Sequence, residues 1–177
     1  MILFCAYSDL RPETRDALIV FGRNHDLRFE YVGDDDYAYG RALERRWAHG
    51  VGFAVVEQDI VIRQDVVDAF DECPEPYCCF PYAWTTDIGP ALGCTRFRSE
   101  LLSAHPEAMR DAVATPSAYG QPGHWRQIDV YLMRRILRDR HGLQPHVHLP
   151  PVEHLNEAKR LRDGADPTPV LEVRGFA

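Results

Sequence analysis

Apolar and polar positions alternate along this chain in blocks whose period changes, and each change marks a new strand or helix. Residues 2–6 form a short apolar run, after which Ser8, Asp9 and Pro12 signal a turn and a helix start. Ala17, Leu18 and Phe21 give that helix an inward face ending near Asn24. Residues 27–32 alternate as a second strand, closed by Gly33-Asp34-Asp35-Asp36. Tyr39, Leu43 and Trp47 recur at four-residue steps and predict an amphipathic helix over 37–49, with Gly50 as its terminating glycine. Residues 51–56 are apolar without a break, the mark of a strand buried on both faces. The triplet Glu57-Gln58-Asp59 follows, and Ile62, Val66 and Phe70 predict a further helix. Residues 77–84 and 91–97 predict two more strands around a Gly-Pro turn, and residues 116–123, rich in Pro and Gly, a loop. Ile128, Leu132 and Ile136 define the strongest helix, which stops at Gly142. Residues 146–149 predict a last short strand, and residues 157–177 a polar tail behind a domain of 1–156.

This β-α-β-α-β order predicts an α/β fold, with a mostly parallel central sheet and helices on both faces. Such sheets bind ligands beyond the carboxyl ends of their strands. That rule selects residues 7–9, 34–36 and 57–59. The sequence has no internal repeat, heptad or low-complexity segment, and no G-x-G-x-x-G or P-loop pattern, so those nucleotide folds are set aside.

Composition changes the picture only in part. A length of 177 residues suits one domain, and 45% hydrophobic with 27% charged residues is ordinary for a globular chain. No apolar run approaches the roughly 20 residues that span a bilayer, and the apolar opening is too short for a signal-peptide core. Five cysteines at irregular spacing argue for reduced thiols and a cytoplasmic setting. Cys73 with Cys78 and Cys79 could suggest a zinc knuckle, but the spacing is not that of paired C-x-x-C ligands; the alternative is small residues filling a core strand. A formal charge of −7 speaks against tight nonspecific nucleic-acid binding, although Arg134, Arg135, Arg138 and Arg140 crowd one helix. A nucleic-acid acceptor stays open.

Glu57 and Asp59 are the sharpest chemical feature. Two carboxylates one residue apart at the end of a buried strand can both face a crevice if the chain bends there. Oxygen ligands of that kind suit Mg²⁺ or Mn²⁺ together with substrate phosphates. The alternative is a solvated strand end with Asp59 capping the next helix. Asp34-Asp35-Asp36 also satisfies D-x-D. His146-x-His148 sets two imidazoles on one strand face, which with His154 could make a zinc site or could be unrelated edge histidines. Tyr82, Trp84 and Trp125 could stack on a sugar ring or pack in the core.

The order of these features is a helix with Arg41 and Arg45, the apolar strand, the acidic triplet, a short helix and an aromatic strand. A strand with Gly93 and Cys94, a helix bearing Asp129, and Val152-Glu153-His154 then follow. Over residues 1–156 this resembles the A-type (GT-A fold) glycosyltransferases, with their Rossmann-like nucleotide-binding half. The resemblance implies transfer of a sugar from a nucleotide-diphosphate donor to a hydroxyl acceptor, assisted by Mn²⁺ or Mg²⁺. Asp59 then matches the last acid of the family's D-x-D motif and Glu57 its first, a glutamate in place of aspartate; His154 matches the late histidine ligand. Asp129 falls where inverting members place a catalytic carboxylate. Tyr7, Asp34 and Asp36 fall where the nucleotide base and ribose bind, and Arg41 or Arg45 where the diphosphate lies. Two other functions remain. A nucleotidyltransferase would carry a Gly-rich basic loop where this chain has Ser8-Asp9-Leu10-Arg11. A catalytically silent binding or scaffold protein would keep the fold without the chemistry.

Overall fold

A computed structural model describes residues 1–33, 35–81, 92–118 and 120–155. Asp34, Tyr82, Trp84 and the tail 157–177 lie outside the described residues. The chain opens β1 (Ile2–Tyr7), α1 (Pro12–Phe21), β2 (Asp26–Tyr31), α2 (Ala38–Ala48), β3 (Phe53–Val56). It continues with β4 (Ile60–Val61), α3 (Gln64–Glu72), β5 (Tyr77–Cys79), β6 (Cys94–Phe97), α4 (Ser99–Ala104) and α5 (Ala108–Ala114). Last come α6 (Trp125–Asp129), a π-helix (Val130–Arg140), β7 (His146–Val147) and β8 (Glu153–His154).

Six strands form one mostly parallel sheet in the order β2-β1-β3-β6-β5-β7. β1 runs parallel to both β2 and β3, β7 runs parallel to β5, and β6 alone opposes its neighbours. Side-chain parity explains the layering. Phe4, Phe53, Val55, Tyr77 and Phe97 face one way and pack under α2, α4, α5 and the π-helix. Leu3, Cys5, Ala54, Val56, Cys78 and Cys94 face the other way and pack under α1 and α3. A strand with such neighbours on both faces must be apolar throughout, which is why β3 reads as an unbroken run. The α/β fold with helices on both faces is therefore the one the pattern predicts.

Several details differ from the prediction. Ile62 is buried, but it lies ahead of α3, because Ile60 and Val61 pair with His154 and Glu153 of β8 and Arg63 is extended (φ −126°, ψ 172°). The described part of the aromatic strand ends at Cys79. Two helices, α4 and α5, occupy a stretch where the pattern predicts none, each burying only small or scattered apolar residues such as Leu101, Leu102 and Met109. The strongest predicted helix is α6 followed by the π-helix. Gly50 (φ 68°) and Gly142 (φ 68°) close α2 and the π-helix in the left-handed conformation that glycine adopts without strain. Among the described residues no helix is long and apolar enough to cross a membrane.

Candidate active site

The sheet order places a crevice before any side chain is considered. From β1 the chain crosses by α1 to β2 on one side, then by α2 to β3 on the other. Right-handed crossovers put α1 and α2 on opposite faces, so the ends of β1 and β3 splay apart at a switch point. Gln58 spans that gap. Its side-chain oxygen accepts from the backbone N–H of Ser8 (2.7 Å) and Asp9 (3.0 Å), and its own carbonyl accepts from Arg11 N (3.0 Å). A turn closed by Ile60 N donating to Glu57 O (3.1 Å) bends the chain here. The middle residue of the triplet is thus spent on holding the loop after β1, with an acid on either side of it.

A cleft of about 570 Å³ opens at this point, within the size range of small-molecule sites. Its walls include Tyr7 and Ser8 from the end of β1, Asp35 and Asp36 after β2, and Tyr39 of α2. Glu57, Gln58, Asp59, Trp125 and His154 complete the acidic and aromatic side. Asp59 is 6% exposed, and its Oδ2 lies 3.5 Å from His154 Nε2. β8 delivers that imidazole: His154 pairs with Ile60 across the small β4–β8 sheet, and Leu155 N donates to Asp59 O (2.8 Å). Glu57 Oε1 accepts from the Tyr39 hydroxyl at 3.0 Å. Burial first, then the charge and hydrogen bond of Glu57, then Asp129, hold the Tyr39 phenol well above its usual pKa. Beneath the floor, burial followed by the Glu57 and Asp59 charges pushes the Cys5 thiol up to about 12.

The outer wall is tied to the loop before α6. Asp36 accepts from Trp125 Nε1 (3.0 Å) through Oδ1, and from Trp125 N (2.9 Å) through its carbonyl, while His124 Nε2 lies 3.6 Å from its Oδ2. Trp125 is 47% exposed, so this indole is a cleft wall and not core. Asp35 accepts from Tyr37 N (2.8 Å) and pairs with Arg41; the Tyr37 N–H and then Arg41 hold its carboxyl below the usual range.

Of the residues expected from sequence, Tyr7, Asp36, Glu57, Asp59 and His154 line the cleft together. Asp34 lies outside the described residues. Arg41 and Arg45 are not among the lining residues: Arg41 pairs with Asp35, and Arg45 with Glu30 on the neighbouring strand. Asp129 is not in the wall either. It caps the π-helix, accepting from Val130 N at 2.7 Å, and sits behind Tyr39, where burial raises its carboxyl above the usual range against the pull of Val130 N–H and Arg134. Tyr39 is the lining residue the pattern did not select as part of a site; Asp35 and Gln58 fall inside the strand-end groups 34–36 and 57–59, where the pattern assigned them no role of their own. Tyr39 read as the inward face of an amphipathic helix, which it is, with its hydroxyl as the only sign of a second role.

As cation ligands the residues fit in part. Asp59 and His154 present an oxygen and a nitrogen at a separation two ligands of one ion adopt, but Glu57 is turned to Tyr39. Glu57, Asp59 and His154 do not all come within 4.8 Å of one another. Among the described residues, the acids Asp35, Asp36, Glu57 and Asp59 share a wall that contains no lysine or arginine, with Arg41 pairing Asp35 from outside it.

No protein-family model and no curated protein matches this sequence. Solved structures share the fold, two of them as follows. One is a glycosyltransferase involved in the glycosylation of the major capsid of PBCV-1, with TM-score 0.57 and 10% identity over 93% of this chain and 98% of that one. The other is the protein A197 from STIV, with TM-score 0.54 and 18% identity over 85% of this chain and 82% of that one. At these identities the likeness is one of architecture.

Proposed function

We propose that this chain is a glycosyltransferase, moving a sugar from a nucleotide-diphosphate donor onto a hydroxyl acceptor with the help of Mn²⁺ or Mg²⁺. The observation that carries the reading is the charge of the cleft. Among the described residues the wall carries Asp36, Glu57 and Asp59 without a lysine or arginine, Asp35 being paired with Arg41, and such a wall repels a diphosphate unless a divalent cation lies between them. Bound there, the cation would neutralise the diphosphate and act as a Lewis acid on the leaving nucleotide. Asp59 and His154 are the residues that would hold it, with donor phosphate and water completing the shell. Glu57 stays with Tyr39 and shapes the site from beside it. Trp125 and Tyr7 offer aromatic faces for the base or the sugar. Asp129 stands behind Tyr39 and outside the cleft wall, so this reading gives it no direct proton transfer with the acceptor. The fold shared with the capsid-modifying glycosyltransferase supports the assignment of class. The acceptor hydroxyl belongs to a small molecule, a glycan, a protein or a modified nucleic-acid base.

The test is thermal unfolding with UDP, GDP, CDP and their sugars, with and without Mn²⁺. A ligand that binds only the folded state at a hundred times its Kd stabilises by about 2.7 kcal/mol. One nucleotide should raise the unfolding temperature only when Mn²⁺ is present, and Asp59→Ala should abolish that shift with the fold intact. Should no nucleotide shift the wild-type protein under any condition, the silent binding or scaffold reading replaces this one.

A further inference from the structure

Away from the cleft, the far edge of the sheet gathers four side chains of metal-binding type. Cys73 ends α3, Cys78 lies on β5, and His146 with His148 flank Val147 on and just after β7. The parallel register pairs Cys78 with His146, so their side chains share a face, and His148 two residues on shares it too. The thiols of Cys73 and Cys78 and an imidazole nitrogen of His148 all lie within 4.8 Å of one another. His146 does not come within 4.8 Å of all three, but its Nδ1 stands 3.3 Å from Cys73 Sγ, and its ring lies 4.4 Å from that of His148 between centroids. A sulfur and a nitrogen bound to one tetrahedral Zn²⁺, at about 2.3 and 2.0 Å, sit roughly 3.5 Å from each other.

Two further features point to a ligand. Among the described residues, the buried Nε2 of His148 has no hydrogen-bond partner. Arg96, only 5% exposed and on the same sheet face as Cys78, donates from Nη2 to Cys73 O (2.6 Å) while its buried Nε has no partner among the described residues. A buried guanidinium against neutral thiols is poorly compensated, whereas metal-bound thiolates accept hydrogen bonds from such a neighbour.

We propose that Cys73, Cys78, His146 and His148 bind one Zn²⁺ in a closed, tetrahedral, structural site. Each thiol gives its proton to solvent, both imidazoles bind neutral, and the two thiolates balance the ion's charge. The site fastens β7, which otherwise holds the sheet through a two-residue pairing and His148 N donating to Cys79 O (2.9 Å). The same segment then runs on to β8 and His154. The sequence held both halves of the set, but the cysteines suggested Cys79 as their companion and the histidines suggested His154. Only the β5–β7 register joins the correct halves.

The test begins with full-length protein purified under reducing conditions without chelator, its metal content measured, and the metal then exchanged for Co²⁺. Zinc should be present at one ion per chain, and cobalt should produce the strong thiolate-to-metal charge-transfer band of a tetrahedral site. Cys73→Ser and Cys78→Ser should each cut the band to about half or less, as loss of one of two thiolate ligands requires, and Cys79→Ala, on the opposite face, should keep it whole. The wild-type spectrum decides the matter even if a variant fails to fold. Absence of stoichiometric zinc together with cobalt binding that lacks the band overturns the proposal. That result would place the cobalt at the half-buried His105, Glu107 and His141 group or at the oxygen-rich cleft. Failure here leaves the Mn²⁺-dependent nucleotide shift untouched, and the reverse also holds.

Discussion

Tyr39→Phe removes one oxygen atom and isolates the contact that holds Glu57. The Tyr39 hydroxyl donates to Glu57 Oε1 at 3.0 Å in a partly buried setting, and the ring position is kept by the substitution. A hydrogen bond to a charged group is worth about 1.5–3 kcal/mol net. Glu57 keeps its other interactions, so the lower half of that range applies. In a domain of this size about 1.5 kcal/mol moves the unfolding midpoint by roughly 3–6 °C. Urea unfolding of wild type, Tyr39→Phe, Glu57→Gln and the double variant then forms a cycle whose coupling energy reads the pair directly. The pH dependence carries a second signature. The folded phenol holds its proton at pH values where the unfolded chain, with its usual value of 10.0, has released it. The unfolded state therefore binds fewer protons, and stability falls as pH rises above 10. Tyr39→Phe should lose stability near neutral pH and fall less steeply above pH 10. A coupling energy below about 0.5 kcal/mol, at the level where independent sites simply add, would refute the argument that Glu57 is held by Tyr39.

Other outcomes follow from the same geometry. Asp129→Asn should leave the Mn²⁺-dependent donor shift unchanged and change single-turnover transfer by less than about tenfold, as a carboxyl outside the cleft wall would; a loss of about 10²-fold, the smaller end of a general base's contribution, would return Asp129 to the chemistry. Trp125→Ala should weaken nucleotide binding by about 1–3 kcal/mol, as loss of a stacking face does, and a calorimetric titration showing equal Kd would exclude stacking there. Cys5→Ala should flatten the alkaline loss of stability between pH 9 and 12, since the folded thiol is pushed up to about 12 from 9.0. That thiol alone contributes about 1.4 kcal/mol per pH unit in the window, read by urea unfolding across it.

The layered fold was legible because burial on two faces leaves a simple mark. β3 must be apolar at every position, α2 must be apolar every fourth, and the glycines must sit where φ is positive. The acids at the crevice were legible for a related reason, since a carboxylate directly after a buried strand has nowhere to go but the sheet's edge. What stayed hidden depends on pairing in space. Gln58 looks like any polar residue until the Ser8 and Asp9 amides are seen pointing at it. Arg41 and Arg45 read as phosphate ligands because a basic helix face is visible in sequence, but Asp35 and Glu30, which take them up, come from other elements. The π-helix was hidden too: over a few turns it buries residues at i and i+4 much as an α-helix does, here Leu132, Met133, Ile136 and Leu137.

The two proposed cation ligands are held in very different ways, and that difference bears on how a donor would be bound. Asp59 sits in a turn fixed on both sides, by Ile60 N to Glu57 O and by Gln58 to the loop after β1, and is almost wholly buried. His154 comes from a strand of two residues, joined to β4 by a short ladder and to Asp59 O by Leu155 N. Segments with so few buried contacts open more readily than the sheet behind them. The acidic wall supplies the opposing term: at an effective dielectric of about 20, one phosphate charge and one carboxylate roughly 6 Å apart repel by about 3 kcal/mol. Bringing a diphosphate beside several such carboxylates without a cation therefore costs more than a moderate nucleotide affinity provides. In the proposed reaction Asp59 would be the fixed point at which cation and phosphate meet and His154 the less firmly held ligand, so that part of the donor's binding energy would go into holding β8 in place. The segment carrying His154 begins after Val152, whose side chain is fully buried and whose N–H donates to Pro81 O (2.9 Å), and a zinc centre at β7 would hold the sheet edge just before it. Ordering of His154 by the donor would then involve β8 alone, with the sheet edge standing still.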